Sequence, residues 1–586
     1  MQEIKGLHRE SNKRGKGWSR LRRCQIGYDK KFICGEVLLM PCCIWNYRPV
    51  ISPPNVFVKM TTVPNLLSRL IPLRLPRVCV AVTGSDAADM IQKAEALARD
   101  NTFLEFRLDY FSKPTLALPK IKRFTESYPH VAVIGTCRRS VSGGKFKGSL
   151  ASQLDMLAKA SAAGCQLVDL ELQSAIQCKP AQIQKLRAHA GLVLSFHDFR
   201  GTKRLEETLE KMVTVPADYY KVVSTATTLY DNVTMMKFLE QQGDKHPLIG
   251  MCMGEQGIIS RVLGVRAGSL FTFASVSEEE KTAPGQVTAQ ELRSTYRIEQ
   301  VDAATRVYGV VGDPVGQSLS PAIMNAAMRR ENVNGVYLAL HAKTLKDLMA
   351  CMRDIPIHGL SVTMPYKESI IQHLDNTDAH TTKIGACNTV VRAQDGKLYG
   401  FNTDTAGVVR PLERRLPIEK AKILVLGAGG AARAAVFGLK ERGAEVYILN
   451  RSAGPAQKLA RSARARTIKR ADLKKLEFDV IINATPLGMG NTKESPLKEE
   501  EIKARIVFDM VYDPVETRLL TMAKARGAEI IPGFEMFVHQ AARQFEIWTG
   551  KPAPWDEMLS VVVKALQDRA TKQENKEARK SSASAK

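Results

Sequence analysis

The feature that most constrains this chain is a run of eight short apolar segments between Val78 and Ala274, each of strand length and each followed by a helix-length stretch. They lie at 78–82 (VCVAV), 102–107, 131–137, 166–171, 192–196, 219–223, 247–251 and 270–274. Between them, stretches such as 86–99 and 204–214 carry apolar residues at helical spacing. Eight apolar strands alternating with helices over about 210 residues are what a (β/α)8 barrel requires. Polar residues gather at the C-terminal ends of the strands: Glu105 and Arg107, Arg138, Glu171, His197, and Lys221 within the sixth. That rim is where barrels of this kind place their chemistry.

The remainder is too long for the same core. Residues 298–305 read as a linker, and a new strand begins at 306 (RVYGVVG). A second α/β region runs to about 568, in which 422–427 (KILVLG) is a strand feeding a glycine-rich turn and then a helix. After Gln567 the residues are Lys, Glu, Ser and Ala without apolar spacing, so 569–586 is expected to be a disordered basic tail.

The formal charge of +25 invites a nucleic-acid reading, but its distribution argues against one. Residues 1–75 carry a net +10 and residues 569–586 a net +4, so more than half of the excess lies in the two ends. The folded part suits anionic small-molecule ligands instead. The eleven cysteines include no CxxC pair or zinc-like cluster, so no metal is expected and the thiols read as reduced core residues of a cytoplasmic protein. No run long and apolar enough to span a membrane occurs. The segment 1–75 reads as a disordered extension or a start placed too far upstream, with Met60 an alternative start; a plastid transit peptide is the other reading. The oligomeric state is left open.

Lys221 sits among apolar residues in DYYKVVST. Pointed into a barrel, its ammonium would be costly to bury, and desolvation would free the amine to attack a carbonyl. The alternative is a strand-edge lysine with its head in water. His197, in LVLSFHDFR, lies one strand away and would be a base beside a nucleophile, or else a structural histidine. EFRLD at 105–109, DLEL at 169–172, SFHDF at 195–199, YYKVV at 219–223, ISR at 259–261 and TAPGQ at 282–286 together resemble type I 3-dehydroquinate dehydratase. The resemblance spans the barrel, 76–297. It implies that Lys221 forms an imine with the substrate ketone and that His197 moves the proton. It further implies that Arg261 pairs with the substrate carboxylate, and that Glu105, Arg107, Arg138, Thr282 and Gln286 hold the ring. One departure stands out: Ser142 occupies the place of the family's usual glutamate, and no Asp or Glu occurs from Arg138 through Leu154. A differently tuned His197 is the expected consequence.

In the second region, LVLGAGGAARAA at 424–435 places Gly427, Gly429 and Gly430 between strand and helix, where backbone N–H groups can approach a pyrophosphate. The next strand ends in Asn450-Arg451-Ser452, where NAD readers keep an acid; an amide, a guanidinium and a hydroxyl favour the 2′-phosphate of NADP. Lys367 and Asp404 would pass a proton to a carbonyl as hydride arrives, or form a structural ion pair. VGDPVGQSLSP at 311–321, SVTMPYKE at 361–368, GACNTVV at 385–391, GFNTDTAG at 400–407, NATPLGM at 483–489, DMVYDP at 509–514 and GFEMFVHQAARQFEIW at 533–548 resemble shikimate dehydrogenase. That resemblance implies a substrate-binding lobe over 306–410 with 535–568, and a Rossmann-type NADP lobe over 411–534. Lys367 and Asp404 would be the catalytic pair, and Ser318, Ser320, Thr363, Asn388 and Gln540 would hold substrate. Gly427, Ala428, Gly429, Gly430, Ala431, Asn450, Arg451, Ser452, Thr485, Gly533 and Met536 would hold NADP. Ser361 replaces an asparagine the family commonly shows, which puts that contact in question.

The expected fold is thus a TIM barrel followed by a two-lobed α/β dehydrogenase. The expected substrates are 3-dehydroquinate and 3-dehydroshikimate or shikimate, the first half's product being the second half's substrate. Quinate dehydrogenase activity is the rival for the second half, and a non-catalytic ligand sensor is the rival of a different class. The two hydroxyls Ser318 and Ser320 favour shikimate, and the presence of both lysines with their partners favours an enzyme.

Overall fold

The computed structural model describes residues 75–490 and 493–584, so the expected extension lies outside the described residues except for Leu75. The eight apolar segments form β1 (Val78–Val82), β2 (Phe103–Arg107), β3 (Ala132–Thr136), β4 (Leu167–Glu171), β5 (Gly191–His197), β6 (Tyr219–Thr225), β7 (Leu248–Met253) and β8 (Thr272–Ser275). They pair in parallel in the order β7-β6-β5-β4-β3-β2-β1-β8. At the seam the Leu270 N–H donates to the Leu248 carbonyl at 2.9 Å, which leaves the barrel nearly closed. Inside, Phe103, Ile134, Leu167, Val193, Ile249 and Phe271 fill the lower layers as an apolar plug, so only the C-terminal rim is polar.

Beyond the barrel, β9 (Arg306–Gly312), β10 (Gly335–His341), β11 (Ile357–Val362), β12 (Asn376–Thr377), β13 (Thr389–Arg392) and β14 (Leu398–Phe401) make one sheet in the order β10-β9-β11-β13-β14-β12. In it β13 runs antiparallel to both neighbours. A third sheet contains β15 (Lys422–Leu426), β16 (Glu445–Leu449), β17 (Arg466–Thr467), β18 (Phe478–Asn483), β19 (Ala504–Asp509) and β20 (Glu529–Ile531). It is parallel throughout in the order β17-β16-β15-β18-β19-β20. Counted from β15 this is the 3-2-1-4-5-6 order of doubly wound dinucleotide-binding sheets, whose crevice opens where the order reverses.

Small residues let the helices between these sheets approach closely. A Cβ on Gly438 would lie 2.5 Å from Thr405 Cγ2, and one on Gly407 would lie 2.9 Å from Met536 Cγ. The helices Asp404–Glu413, Gly430–Glu441 and Gly533–Thr549 therefore stack backbone to backbone and set the cleft between the two sheets. Gly359 does the same for Trp548, whose indole N–H donates to the Val390 carbonyl at 3.0 Å.

One expectation is corrected. The tail from Arg569, expected to be disordered, continues the helix Trp555–Ser584. Ala, Lys, Glu, Gln and Arg are good helix formers whether or not they carry an apolar stripe, and the turns before them are anchored by buried Met558, Val562 and Leu566.

Gly359→Ala would place a methyl 2.5 Å from Trp548 Nε1. Overpacking of this kind costs about 1–3 kcal/mol. The urea midpoint for loss of the activity carried by the second half falls accordingly, and that of the barrel's activity, which shares only part of its core with this half, falls less.

Candidate active sites

The eight barrel residues given a role by the resemblance line one cavity at the rim: Glu105, Arg107, Arg138, His197, Lys221, Arg261, Thr282 and Gln286; Glu171, also placed at the rim from sequence, does not, its carboxylate being taken by the Arg139 N–H and Gln153. Strand register brings them there. Ser195 of β5 pairs with Lys221 of β6, so His197, two residues on, projects from the same face one layer higher. Lys221 is 3% exposed, and its ammonium lies 3.7 Å from the centre of the Phe273 ring. It also has a counter-ion that the sequence reading does not include: Lys221 Nζ is 3.1 Å from Asp169 Oδ2 and 3.9 Å from Glu105 Oε1.

Asp169 is the junction of the site. It accepts from Lys221, from Arg138 Nη2 at 3.2 Å and from Ser195 Oγ at 2.7 Å. Burial would raise its carboxyl pKa, but Lys221 and Arg138 outweigh burial and hold it well below the usual carboxylate range. The signal for it, an acid inside the apolar strand LVDLE, is present in the sequence without an assigned role. Around it, Thr136 Oγ1 donates to Glu105 at 2.7 Å, and Arg107 is forked onto Asp109 with both contacts at 3.0 Å.

His197 has no hydrogen-bond partner on its ring among the described residues. Burial first, then the charges of Arg138 and Lys221, press its pKa well below the ordinary histidine value. The imidazole is therefore neutral at pH 7, the form that can accept a proton. Ser142 sits on a one-turn helix, buried, with an Oγ that finds no partner, and does not line the cavity. Its neighbour Gly143 (φ +80°) does, and a Cβ there would strike the Phe199 ring. Tyr110, Phe199 and Phe273 complete the walls and are not legible in advance.

Arg261 is the most telling member. It is 2% exposed, yet its guanidinium meets only Met251 Sδ at 3.8 Å and the Pro284 carbonyl at 3.4 Å, with no carboxylate partner among the described residues. Burial lowers its pKa to about 10, and Nε is unsatisfied. A buried cation without an anion is unfavourable unless a ligand supplies one, and a carboxylate matches its planar fork.

In the second half, Lys367 Nζ lies 2.5 Å from Asp404 Oδ2, and Asn388 Nδ2 donates to Asp404 Oδ1 at 2.7 Å. Gln540 Oε1, from the helix Gly533–Thr549, is 3.4 Å from the same Asn388 amide. Ser318 Oγ accepts from the Ser320 N–H at 3.2 Å, and Thr363 lies at the end of β11 with its methyl against Gly312. Ser361 is bonded just behind this cluster: Tyr337 Oη donates to it at 2.6 Å and it donates to Gln544 at 2.7 Å, which in turn donates to the Asn388 carbonyl at 3.0 Å. Tyr512, in the DMVYDP segment, stacks on Phe537 at 4.9 Å beside Met536 and has no role assigned from sequence.

The residues of the glycine-rich turn fit a dinucleotide. Gly427 has φ +110°, with the space beside it taken by Ala484 and Thr485; a Cβ on Gly429 would meet nothing within 4 Å. The helix Gly430–Glu441 begins there, presenting its N-terminal N–H groups. Lys367 packs against Gly430, which brings the Lys–Asp pair to the edge of the turn. Arg451 is exposed and makes no ion pair among the described residues, while Asn450 folds onto the Ser452 carbonyl at 2.9 Å. Gly533 touches the Val511 carbonyl too closely for a side chain.

A nearly closed barrel with a buried lysine, joined to a two-lobed unit with a dinucleotide turn, defines a fused pair of α/β enzymes. Comparison with known proteins agrees. Residues 78–303 match the family model of type I 3-dehydroquinase, 310–390 that of the shikimate dehydrogenase substrate binding domain, and 412–512 that of shikimate / quinate 5-dehydrogenase. Residues 533–563 match the shikimate 5'-dehydrogenase C-terminal domain. The chain is 32% identical over 534 residues to the chloroplastic bifunctional 3-dehydroquinate dehydratase/shikimate dehydrogenase of Arabidopsis thaliana, covering 86% of this chain and 88% of that one. It is 38% identical over 277 residues to a shikimate dehydrogenase (NADP(+)) of Dehalococcoides mccartyi, covering 45% and 96%. The solved shikimate 5-dehydrogenase of Thermus thermophilus, in complex with NADP(H) and shikimate, is 34% identical with a TM-score of 0.42, covering 45% of this chain and all of that one. The chain belongs to the bifunctional 3-dehydroquinate dehydratase/shikimate dehydrogenase family.

Replacing the uncompensated cation separates stability from function. Arg261→Met leaves the melting temperature equal or higher, since a buried charge without a partner gives way to apolar packing. The same change lowers kcat/KM of the barrel's reaction by about a hundredfold or more, as expected for a desolvated carboxylate contact.

Proposed function

We propose that residues 76–297 dehydrate 3-dehydroquinate and that residues 306–568 reduce the resulting 3-dehydroshikimate to shikimate. The observation that carries the first half is the convergence of a buried lysine, a neutral histidine and an unpaired buried arginine on one cavity. Arg261 takes the substrate carboxylate. Lys221 gives up a proton to His197 and adds to the ketone as the neutral amine; the carbinolamine takes the proton back and loses water to leave an iminium, whose charged nitrogen Asp169 faces. The imine withdraws electrons from the neighbouring carbon. His197 accepts the proton released there and returns it to the departing hydroxyl, which leaves as water; a water then hydrolyses the iminium, freeing the product ketone and restoring Lys221.

In the second half, NADPH, held over the turn 427–431 with its 2′-phosphate at Asn450-Arg451-Ser452, supplies a hydride when bound. Lys367 gives a proton to the substrate carbonyl oxygen. Asp404 holds the lysine, and Asn388 holds Asp404. Ser318 and Ser320 take the carboxylate, with Thr363 and Gln540 on the ring hydroxyls. Met536 and Gly533 would hold the nicotinamide end of the cofactor, and Thr485 would hold its remainder. Ser361, already bonded twice, supports the wall rather than the ligand.

No helix among the described residues is long and apolar enough to cross a membrane, and no group of three or more His, Cys, Asp or Glu there could hold a metal ion. We read the site of action as the cytoplasm. Plastid import of the full chain, carried by residues 1–75, is the alternative, and import of a labelled chain into isolated plastids tests it.

The purified chain given 3-dehydroquinate and NADPH oxidises NADPH, and does so from 3-dehydroshikimate as well. Quinate with NADP gives at most a few per cent of the rate with shikimate; a comparable rate would reassign the second half. Borohydride added with substrate inactivates the barrel through a covalent adduct at Lys221 and spares the reductase. An intact, unlabelled Lys221 would sink the imine route.

The acid limb of the dehydratase profile reports His197. Its pKa is depressed, so the neutral base persists, and the rate holds, to a pH well below 6.5. Ser142→Glu adds an anion near the loop that borders His197, raises its pKa and moves the limb to higher pH. An unchanged rate and limb would show that Ser142 has no part in tuning the base.

A further inference from the structure

The C-terminal helix Trp555–Ser584 lies along the helix Ser320–Arg330, which follows directly on Ser318 and Ser320. Met558, Val562 and Leu566 recur every fourth residue on one face and pack against Ile323, Met324 and Ala327. The register is antiparallel and pinned at both ends. Arg329 pairs with Glu557 at 3.7 Å, and Arg569 Nη2 donates to the Gln317 carbonyl at 2.7 Å. The two contacts are twelve residues apart on each segment, which on the C-terminal helix is roughly 18 Å.

Arg569 does more than end that register. Its other nitrogen, Nη1, is 2.8 Å from Asp513 Oδ2, in the segment between β19 and the helix Arg518–Ala525 of the cofactor lobe. The Asp513 carbonyl accepts from the Gly490 N–H at 2.9 Å, in the loop that follows Thr485. One guanidinium thus holds the backbone immediately before Ser318 on one side of the cleft and a cofactor-lobe loop on the other. Tyr512, next to Asp513, stacks on the helix that carries Met536 and Gln540.

We infer that Arg569 is a positioning residue of the reductase: it fixes the Ser318 loop against the cofactor lobe and so sets the affinity for the substrate carboxylate. This rests on the reading of Ser318 as a carboxylate ligand. The planar fork of arginine is needed because two acceptors in different directions must be met at once; a lysine ammonium on a flexible stem meets one. The contact is a third exposed and partly screened, so its loss loosens the loop without unfolding the lobe.

The experiment is steady-state kinetics on the full chain with Arg569→Ala, Arg569→Lys, Asp513→Asn and Ser318→Ala, with dehydratase activity of the same preparations and the Kd of NADP as internal references. Arg569→Ala raises KM for 3-dehydroshikimate about fivefold with kcat within about twofold, the mark of binding lost equally from ground and transition states. Arg569→Lys recovers part of the loss, Asp513→Asn shifts KM the same way, and the double variant Arg569→Ala/Asp513→Asn is no worse than Arg569→Ala. Dehydratase rate and NADP affinity stay level. If Ser318→Ala raises KM and Arg569→Ala does not, the positioning role is wrong. If both activities fall together, Arg569 serves folding alone and the inference also fails. If Ser318→Ala leaves KM unmoved, the carboxylate reading falls first and takes this inference with it.

Discussion

Asp169 accepts from Lys221, Arg138 and Ser195 inside the barrel, and the geometry of the first site follows from that one carboxylate. A buried carboxylate costs several kcal/mol in desolvation unless it is well paired. Two cations and a hydroxyl offset the cost here only while all three keep their places. The pairing therefore works in both directions: Asp169 fixes the lysine head toward the cavity, and the two cations keep Asp169 ionised. His197, one layer above, is kept neutral first by its own burial and then by the charges of Arg138 and Lys221. Asp169 works against that neutrality, and burial with Arg138 and Lys221 outweighs it.

The second site uses the same pair of residue types to a different end. Lys367 meets Asp404, but its side chain is 18% exposed against 4% for Lys221, and it borders the glycine turn rather than an aromatic plug. On the proposed reading, the lysine sealed against Phe273 bonds carbon and the lysine at the open cleft, tethered to a carboxylate, exchanges a proton. Burial and neighbours, rather than the side chain itself, divide the roles.

Much of this is legible from sequence because each signal is local. Eight apolar segments give the barrel, and the polar residues at their ends give the rim. The glycines at 427–430 announce the turn, and the sheet order around β15 then follows the doubly wound pattern. What escapes is long-range. Asp169 is visible as an acid in a strand, but that it bonds Lys221, fifty-two positions on, depends on strand register and tilt. Phe199 and Tyr110 reach the cavity through loop and one-turn-helix paths that no spacing encodes, and Phe273 reaches it from β8 only because that strand pairs with β1. The tail departs from expectation for a different reason. Composition without apolar period argues against a packed helix, yet not against continuing one already anchored by Met558, Val562 and Leu566 in the turns before it.

The connection between the halves is packing as well as tether. One contiguous apolar cluster runs from Val78 of β1 through Ile298 and Val301 to Leu348 and Met352 on the helix Leu345–Asp354. Polar contacts complete it: Asp347 accepts from the Leu229 N–H at 2.7 Å and the Tyr230 N–H at 3.2 Å, capping the barrel helix Tyr230–Gln242, and Lys237 pairs with Asp354 at 2.7 Å. Next to this seam, His341 lies 3.1 Å from Glu255 and 2.9 Å from Asp313. Glu255 follows Gly254, on which the barrel's substrate loop closes so tightly that a Cβ on Gly285 would lie 2.0 Å from the Gly254 carbonyl. Asp313 opens the loop that carries Ser318. The loops bounding the two sites therefore share a border, and the fusion fixes their separation through side-chain packing, which a flexible linker alone would not do.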